Sequence, residues 1–314
     1  MRARLIAAFA AVYLVWGSTY LAIRFAVETI PPLLMAGFRF ALSGLIVLAW
    51  ARFRERAAAP TRIEWRTGII SGALLLLGGN GAVAWAEQRV PSGIAALLVA
   101  IVPLWMVLLE WLRPGGRRPA LSVFAGVTLG LAGLLLLLGR DTMRGTGDAN
   151  TVGAIVLVLA SLSWAVGSLF TKWAPRAVSG TVSTGVQMFA GGVLLLVAGV
   201  VAGEPSRLDL AHVSTRSLLG FAYLVTFGSL IGFTAYVYLL AHTTAAKAAT
   251  YAYVNPVVAV LLGWAIGHEA VTARTLLAAA VILAGVAIIT ITRDGSKPSA
   301  STARASDTGE TASA

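Results

Sequence analysis

Long apolar runs, broken by short polar stretches, dominate the chain. The runs are 5–24, 32–51, 67–86, 91–112, 120–139, 151–172, 180–202, 217–240, 246–267 and 272–292. Each is about the ~20 residues that a helix needs to cross a ~30 Å hydrocarbon core. No run keeps the strict alternation of a half-buried strand, and lipid leaves backbone groups no partner outside their own segment, so helices are predicted throughout. Pro31-Pro32, Pro91 and Pro119 stand at helix starts, where a missing N–H costs nothing. The run after Arg2 and Arg4 continues to Ile23, too far for a cleaved leader, and reads as a retained first span. Residues 294–314 are rich in Ser, Thr and Ala and predict a disordered tail.

The basic residues fix an expected orientation. With the N-terminus cytoplasmic, sixteen Lys and Arg fall on inner segments and seven on outer ones, and Arg39 falls inside a span, so both termini are expected in the cytoplasm. This placement also accounts for the net charge of +11 without a nucleic-acid partner. Only 12% of the residues are charged and 58% are hydrophobic, which removes the ordinary soluble classes. Cysteine is absent, so thiolate metal sites and cysteine nucleophiles are excluded. No Gly-rich phosphate loop ending in Lys-Ser/Thr occurs, which argues against ATP-driven pumping. No metal-ligand set or acid–base pair can be assembled at one depth, so a membrane enzyme is the weaker alternative, and no cofactor is expected.

The chain repeats itself. A shift of 148 lays Trp16 on Trp164, Arg24 on Lys172, Gly37 on Gly185, Arg39 on Gln187 and Gly44 on Gly192. The shift becomes 150 in the third and eighth spans (Gly78 on Gly228), 153 in the fourth and ninth (Pro103 on Pro256) and 152 in the fifth and tenth (Gly133 on Gly285). Five is odd, so the second copy enters the membrane from the opposite side. The expected fold is all-α: ten transmembrane helices as two inverted five-helix repeats, 1–140 and 141–293.

Certain residues carry a resemblance. Trp16-Gly17-Ser18-Thr19 with Arg24, Arg39 in span two, mid-span Pro103 and Asn255-Pro256 are similar to the drug/metabolite transporter superfamily, EamA type. Asn80-Gly81, Trp85-Ala86-Glu87-Gln88, Pro91-Ser92-Gly93 and Pro103-Leu104-Trp105 resemble its YedA-like subgroup. The resemblance covers residues 5–292 and implies a secondary transporter of the bacterial cytoplasmic membrane that exports amino acids or other small metabolites. The family often places an acidic residue well after the fourth-span proline. Here Glu110 follows Pro103 too closely, whereas Glu269 after Pro256 fits.

The side chains suggest a site. Arg39 is either an anchor for a substrate carboxylate or a structural tie between spans. Trp16, Tyr20, Trp105, Trp164 and Tyr251 either stack on a solute or fill gaps between helices. Asn80, Asn255 and Gln187 are polar at depth, and Pro103 and Pro256 are expected to break their helices there. Spans one to four and six to nine are expected to line a central cavity. The fifth and tenth are expected to pack the halves together or to meet a second subunit in a homo-oligomer. Arg24, Glu28, Glu87 and Arg89 form a candidate gate or a solvated charge cluster at the outer ends. No acidic residue lies mid-span, which favours facilitated diffusion or exchange over a buried proton relay. Coupling through Glu28, Glu87 or Glu269 stays open. Export of an amino acid is the preferred reading; import, or carriage of a different metabolite, is the alternative.

Overall fold

The computed structural model describes residues 2–90, 95, 98–116, 118–143, 148–175, 179–267 and 273–291. The tail at 294–314 and Glu269 lie outside these residues. Among them the chain is all helix: α1 Arg2–Ala26, α2 Pro32–Phe53, α3 Arg62–Ala86, α4 Val102–Leu112, α5 Leu121–Met143, α6 Asp148–Trp173, α7 Gly180–Val201, α8 Thr215–His242, α9 Tyr251–Gly267 and α10 Ala273–Ile291. Six of these, α1, α2, α3, α6 (from Val152), α7 and α8, are long and apolar enough to cross a membrane, and shorter apolar helices lie in α4, α5 and α10. Trp50, Trp111 and Trp173, near helix ends, are exposed toward the surroundings, as belt residues are.

Local chemistry sets the helix ends. The Thr61 hydroxyl accepts from the Glu64 amide while the Glu64 carboxylate accepts from the Thr61 amide, so the pair caps α3 reciprocally. Ser179 and Ser214 cap α7 and α8. Glu204 is buried and accepts from the backbone N–H of Leu33 and Leu34, filling the donors left open at the start of α2. In the other half Glu55 accepts from the Thr181 hydroxyl at the start of α7. Leu33 and Thr181 are related by the shift of 148, so the two carboxylates hold equivalent helix starts on opposite faces.

The internal repeat is a packing relationship. Helix α2 lies against α7, and Gly37 meets Leu196 as Gly185 meets Leu48. Gly44 lies on the backbone of Phe189, as Gly192 lies on that of Ala41. Each contact is carried onto the other by the shift of 148. Helices α5 and α10 pair in the same way: Gly133 meets Ile282 and Gly285 meets Gly130, related by 152. A residue lacking Cβ is needed where two backbones come this close. The fifth and tenth helices therefore do hold the halves together.

Two elements differ from the pattern-based expectation. The third helix of each half contains a stretch of wide i→i+5 turns, Ala73–Gly81 in α3 and Leu224–Phe233 in α8. Such turns leave carbonyls without their usual helical partner. Side chains fill the gaps: the Ser163 hydroxyl donates to the Leu74 carbonyl at 2.8 Å, and the Trp16 indole donates to the Gly228 carbonyl at 3.0 Å. Pro256 does not break its helix. It sits inside α9, and the interruption falls earlier, at the turn Ala249–Thr250 that follows the single helical turn Ala245–Ala248. Pro103 is the second residue of α4, just after the turn at Ala100 and Ile101, so it does stand at a break.

The close glycines give a test. Gly44→Leu and Gly192→Leu should destabilise to a similar extent, by about 1–3 kcal/mol or more, because they stand on the two sides of one symmetric contact. Gly180→Ala, which meets open space, should change little. Thermal unfolding of the detergent-purified protein measures all three.

Candidate functional site

A central cavity opens between α1, α2, α3, α6, α8 and α9. Of the residues singled out from sequence, Trp16, Tyr20, Arg39 and Asn80 line it, and so do Trp164, Tyr251 and Asn255. Trp105 and Gln187 do not. The Trp105 indole donates to the hydroxyl of Ser161, which is itself in the wall, so Trp105 stands directly behind the lining. Gln187 faces away into a polar seam where its amide donates to Thr171, and Thr171 donates to Ser71. Helix α7 is occupied with α2 and α3, and it contributes nothing to the wall. Phe40, Ser161, Val99 and Phe233 also line the cavity, although nothing in the sequence pattern distinguishes them from ordinary packing residues.

The floor of the cavity is aromatic. Trp16 and Trp164, the repeat mates, meet edge to face with centroids 5.6 Å apart. Tyr251 meets Trp16 at 4.8 Å, and Tyr236 lies 5.0 Å from Trp16 and 5.4 Å from Tyr251. Three of the polar tips have partners: the Trp16 indole donates to the Gly228 carbonyl, the Trp164 indole donates to the Tyr236 hydroxyl at 3.2 Å, and Ser168 and Tyr236 share a bond of 2.6 Å. Buried Trp and Tyr need such partners, and these fix the rings as one rigid layer.

Arg39 is 2% exposed. Its Nε donates to Ser229 Oγ at 2.7 Å, and its guanidinium carbon lies 4.5 Å from the Phe40 ring centroid. Gly228 leaves room for the head group, since a Cβ there would stand 2.7 Å from Nη2. Arg39 thus ties α2 to the wide-turn stretch of α8. The tie uses only part of the fork, because Nη1 is buried without a partner. Asn255 Oδ1 is a buried acceptor, also without a partner, and its side chain lies against Tyr20. Unfilled donors and acceptors in a buried site are costly, and here both belong to residues of the cavity wall.

The face where α1 begins, the near face, is closed beneath the aromatic layer. The Lys172 ammonium donates to the carbonyls of Leu240 and Thr243 at the end of α8. Tyr13 and Thr250 share a hydroxyl bond of 2.6 Å. On the far face Arg24, the repeat mate of Lys172, is exposed. Arg24, Glu28, Glu87 and Arg89 do not form ion pairs with one another: Glu28 pairs with Arg216 at 3.5 Å, and Arg89 stacks 3.9 Å over Trp85. No group of His, Asp and Glu that could hold a metal occurs among the described residues.

A helical membrane protein with symmetric halves around a central cavity defines the class: a carrier of small solutes. The EamA-like transporter family matches residues 3–139 and 151–291. The inner membrane transporter YedA of Escherichia coli (strain K12) is 41% identical over 288 residues, covering 91% of this chain and 90% of YedA. The transporter YoaV of Bacillus subtilis (strain 168) is 25% identical over 281 residues, covering 90% and 94%. A solved crystal structure shares the fold with a TM-score of 0.76 at 22% identity, covering 92% of this chain and 98% of that one. The chain belongs to the EamA-like transporter family of the drug/metabolite transporter superfamily and is YedA-like. It is a transporter and not an enzyme.

The near-face closure can be tested because the chain has no cysteine. In Ala160→Cys, a cavity position and then the sole thiol, an impermeant maleimide offered from the near face should react slowly. Adding Lys172→Ala should raise that rate several-fold.

Proposed function

We propose that the protein exports a zwitterionic amino acid, or a closely related solute, across the bacterial inner membrane by alternating access. The observation that carries this reading is the half-used guanidinium of Arg39 in the wall of an aromatic-floored cavity. A carboxylate would accept from Nη1, the Asn255 amide oxygen would accept from the ammonium, and the Trp16–Trp164–Tyr251 layer would take the side chain. A cavity with a fixed cation and amide groups suits a solute with both charges better than a lipophilic cation.

In this reading ten spans divide into halves 1–140 and 141–293, inverted with respect to each other, with 294–314 as a cytoplasmic tail. The shift-related contacts of α2 with α7 support it, because the two halves can exchange packings with the same residues. The excess of Lys and Arg on the near face supports cytoplasmic termini, and the inner-membrane location of YedA supports that compartment.

Counterflow in proteoliposomes tests the reading. Vesicles preloaded with one unlabelled amino acid should take up trace label of the same compound, aromatic ones first. Arg39→Ala should weaken half-saturation by about 10- to 100-fold, the worth of a charge-assisted hydrogen bond. Arg39→Lys should recover only part, since an ammonium lacks the planar fork. No exchange of any amino acid by folded protein would reject the substrate.

A further inference from the structure

Glu87 follows the last residue of α3 and ought to behave as a surface carboxylate. It does not. Part of the residue reaches the surface, yet both carboxylate oxygens are buried and neither has a hydrogen-bond partner. The other buried acids differ: Glu64 is held in a capping box and Glu204 by two backbone amides. Val83, one turn earlier on the same helix, and Tyr20, which interacts with Glu87, both line the cavity, so the Glu87 carboxyl lies beside its far-face end and outside the lining itself.

Among the described residues no cation is paired with this carboxyl. From α1, Tyr20 comes close enough to interact with Glu87 electrostatically, and Arg24 is exposed. From α2, Arg39 is committed to Ser229 deeper in the protein. Helix α6 carries no ionisable residue between Val152 and Thr171, and neither does the sequence from Val90 to Leu109. Nearby on the far face, Glu28 pairs with Arg216 and Arg89 lies over Trp85. Glu87 also caps the C-terminal end of α3, where the helix dipole disfavours an anion. A desolvated carboxylate without cation or donor costs several kcal/mol. A single proton removes that cost.

We propose that Glu87 is a proton-binding site beside the far-face end of the cavity, occupied when α3 packs against α6 as it does here and emptied when water enters. The carboxylate takes one proton from far-face water and becomes a neutral acid, and the reverse step returns that proton to water. Only the link to transport rests on the alternating-access reading; the site itself stands on the geometry. Position along the span does not single it out from Glu28 or Glu269. An acidic residue at a helix end looks solvated in sequence, and here its side chain turns inward.

Dicyclohexylcarbodiimide, which reacts with protonated carboxyls in apolar surroundings, is the probe. Applied to the purified full chain across a pH series and mapped by mass spectrometry, it should label Glu87 at neutral and acid pH and lose the label in alkali. A water-soluble carbodiimide should label Glu87 far less. Infrared spectra should show the carbonyl stretch of a protonated acid at neutral pH, absent in Glu87→Gln. A folded wild-type protein in which Glu87 resists the apolar reagent at every pH, or reacts equally with the soluble one, overturns the proposal. So does an infrared band that persists in Glu87→Gln. None of these readouts needs a substrate, so they succeed or fail separately from the amino acid reading.

Discussion

A hydrocarbon solvent supplies no hydrogen bonds, so polar groups within the spans must be satisfied by protein or left costly. That constraint organises this structure. The wide turns of α3 and α8 release carbonyls at mid-helix, and Ser163 and Trp16 donate to two of them. The first turn of α2 exposes amides, and Glu204 accepts from two. Lys172, the one ammonium at the near end of α6, is spent on the terminal carbonyls of α8. Against this background the exceptions are few. Among the described residues, Arg39 Nη1, Asn255 Oδ1 and the Glu87 carboxyl are without a partner in or beside one cavity, and Gln187 Oε1, Thr234 Oγ1 and Tyr253 Oη are without one outside its lining.

The same constraint bears on the proposed alternating access. Helices α2 and α7 meet through glycines on nearly bare backbone, with no polar bond across the closest approach. Polar ties sit instead at the ends and at the wide turns, where the proposed cycle would release those of one half as the other forms its counterparts. Lys172 is bonded in this state while Arg24, its mate, is exposed, which is the asymmetry expected of one end of an alternating cycle.

Much of the architecture was legible because it depends on residues of one type at fixed spacing. Gly37, Gly44, Gly185 and Gly192 betray the repeat in sequence and form its closest contacts in space. The apolar runs located the helices to within a few residues at most ends. The wide turns were invisible, since Ala73–Gly81 and Leu224–Phe233 look like any apolar helix and differ only in hydrogen-bond register. Proline was an uneven guide: Pro32 opens α2 and Pro103 stands at a break, whereas Pro256 fits within α9 and the break at Ala249–Thr250 has no distinctive residue. Seven of the nine cavity residues chosen from sequence do line the cavity, because polar and aromatic groups at mid-span have few other places to go. Gln187 found one, bonded to Thr171. Glu87 was legible only as one of several outer-end candidates for a gate or for coupling, because depth along a helix does not report which way a side chain turns.

In the proposed binding mode Arg39 recognises a carboxylate above an aromatic floor containing Trp16 and Trp164. Those tryptophans make tryptophan fluorescence a direct reporter. The most direct measurement is a titration of the purified protein with phenylalanine and, separately, with phenethylamine, which keeps the ring and the amine and lacks the carboxylate. Phenylalanine should quench saturably, phenethylamine should bind at least tenfold more weakly (the order expected for losing one charge-assisted hydrogen bond), and the two should not differ in Arg39→Ala. Equal binding of both ligands by the unaltered protein would contradict this binding mode.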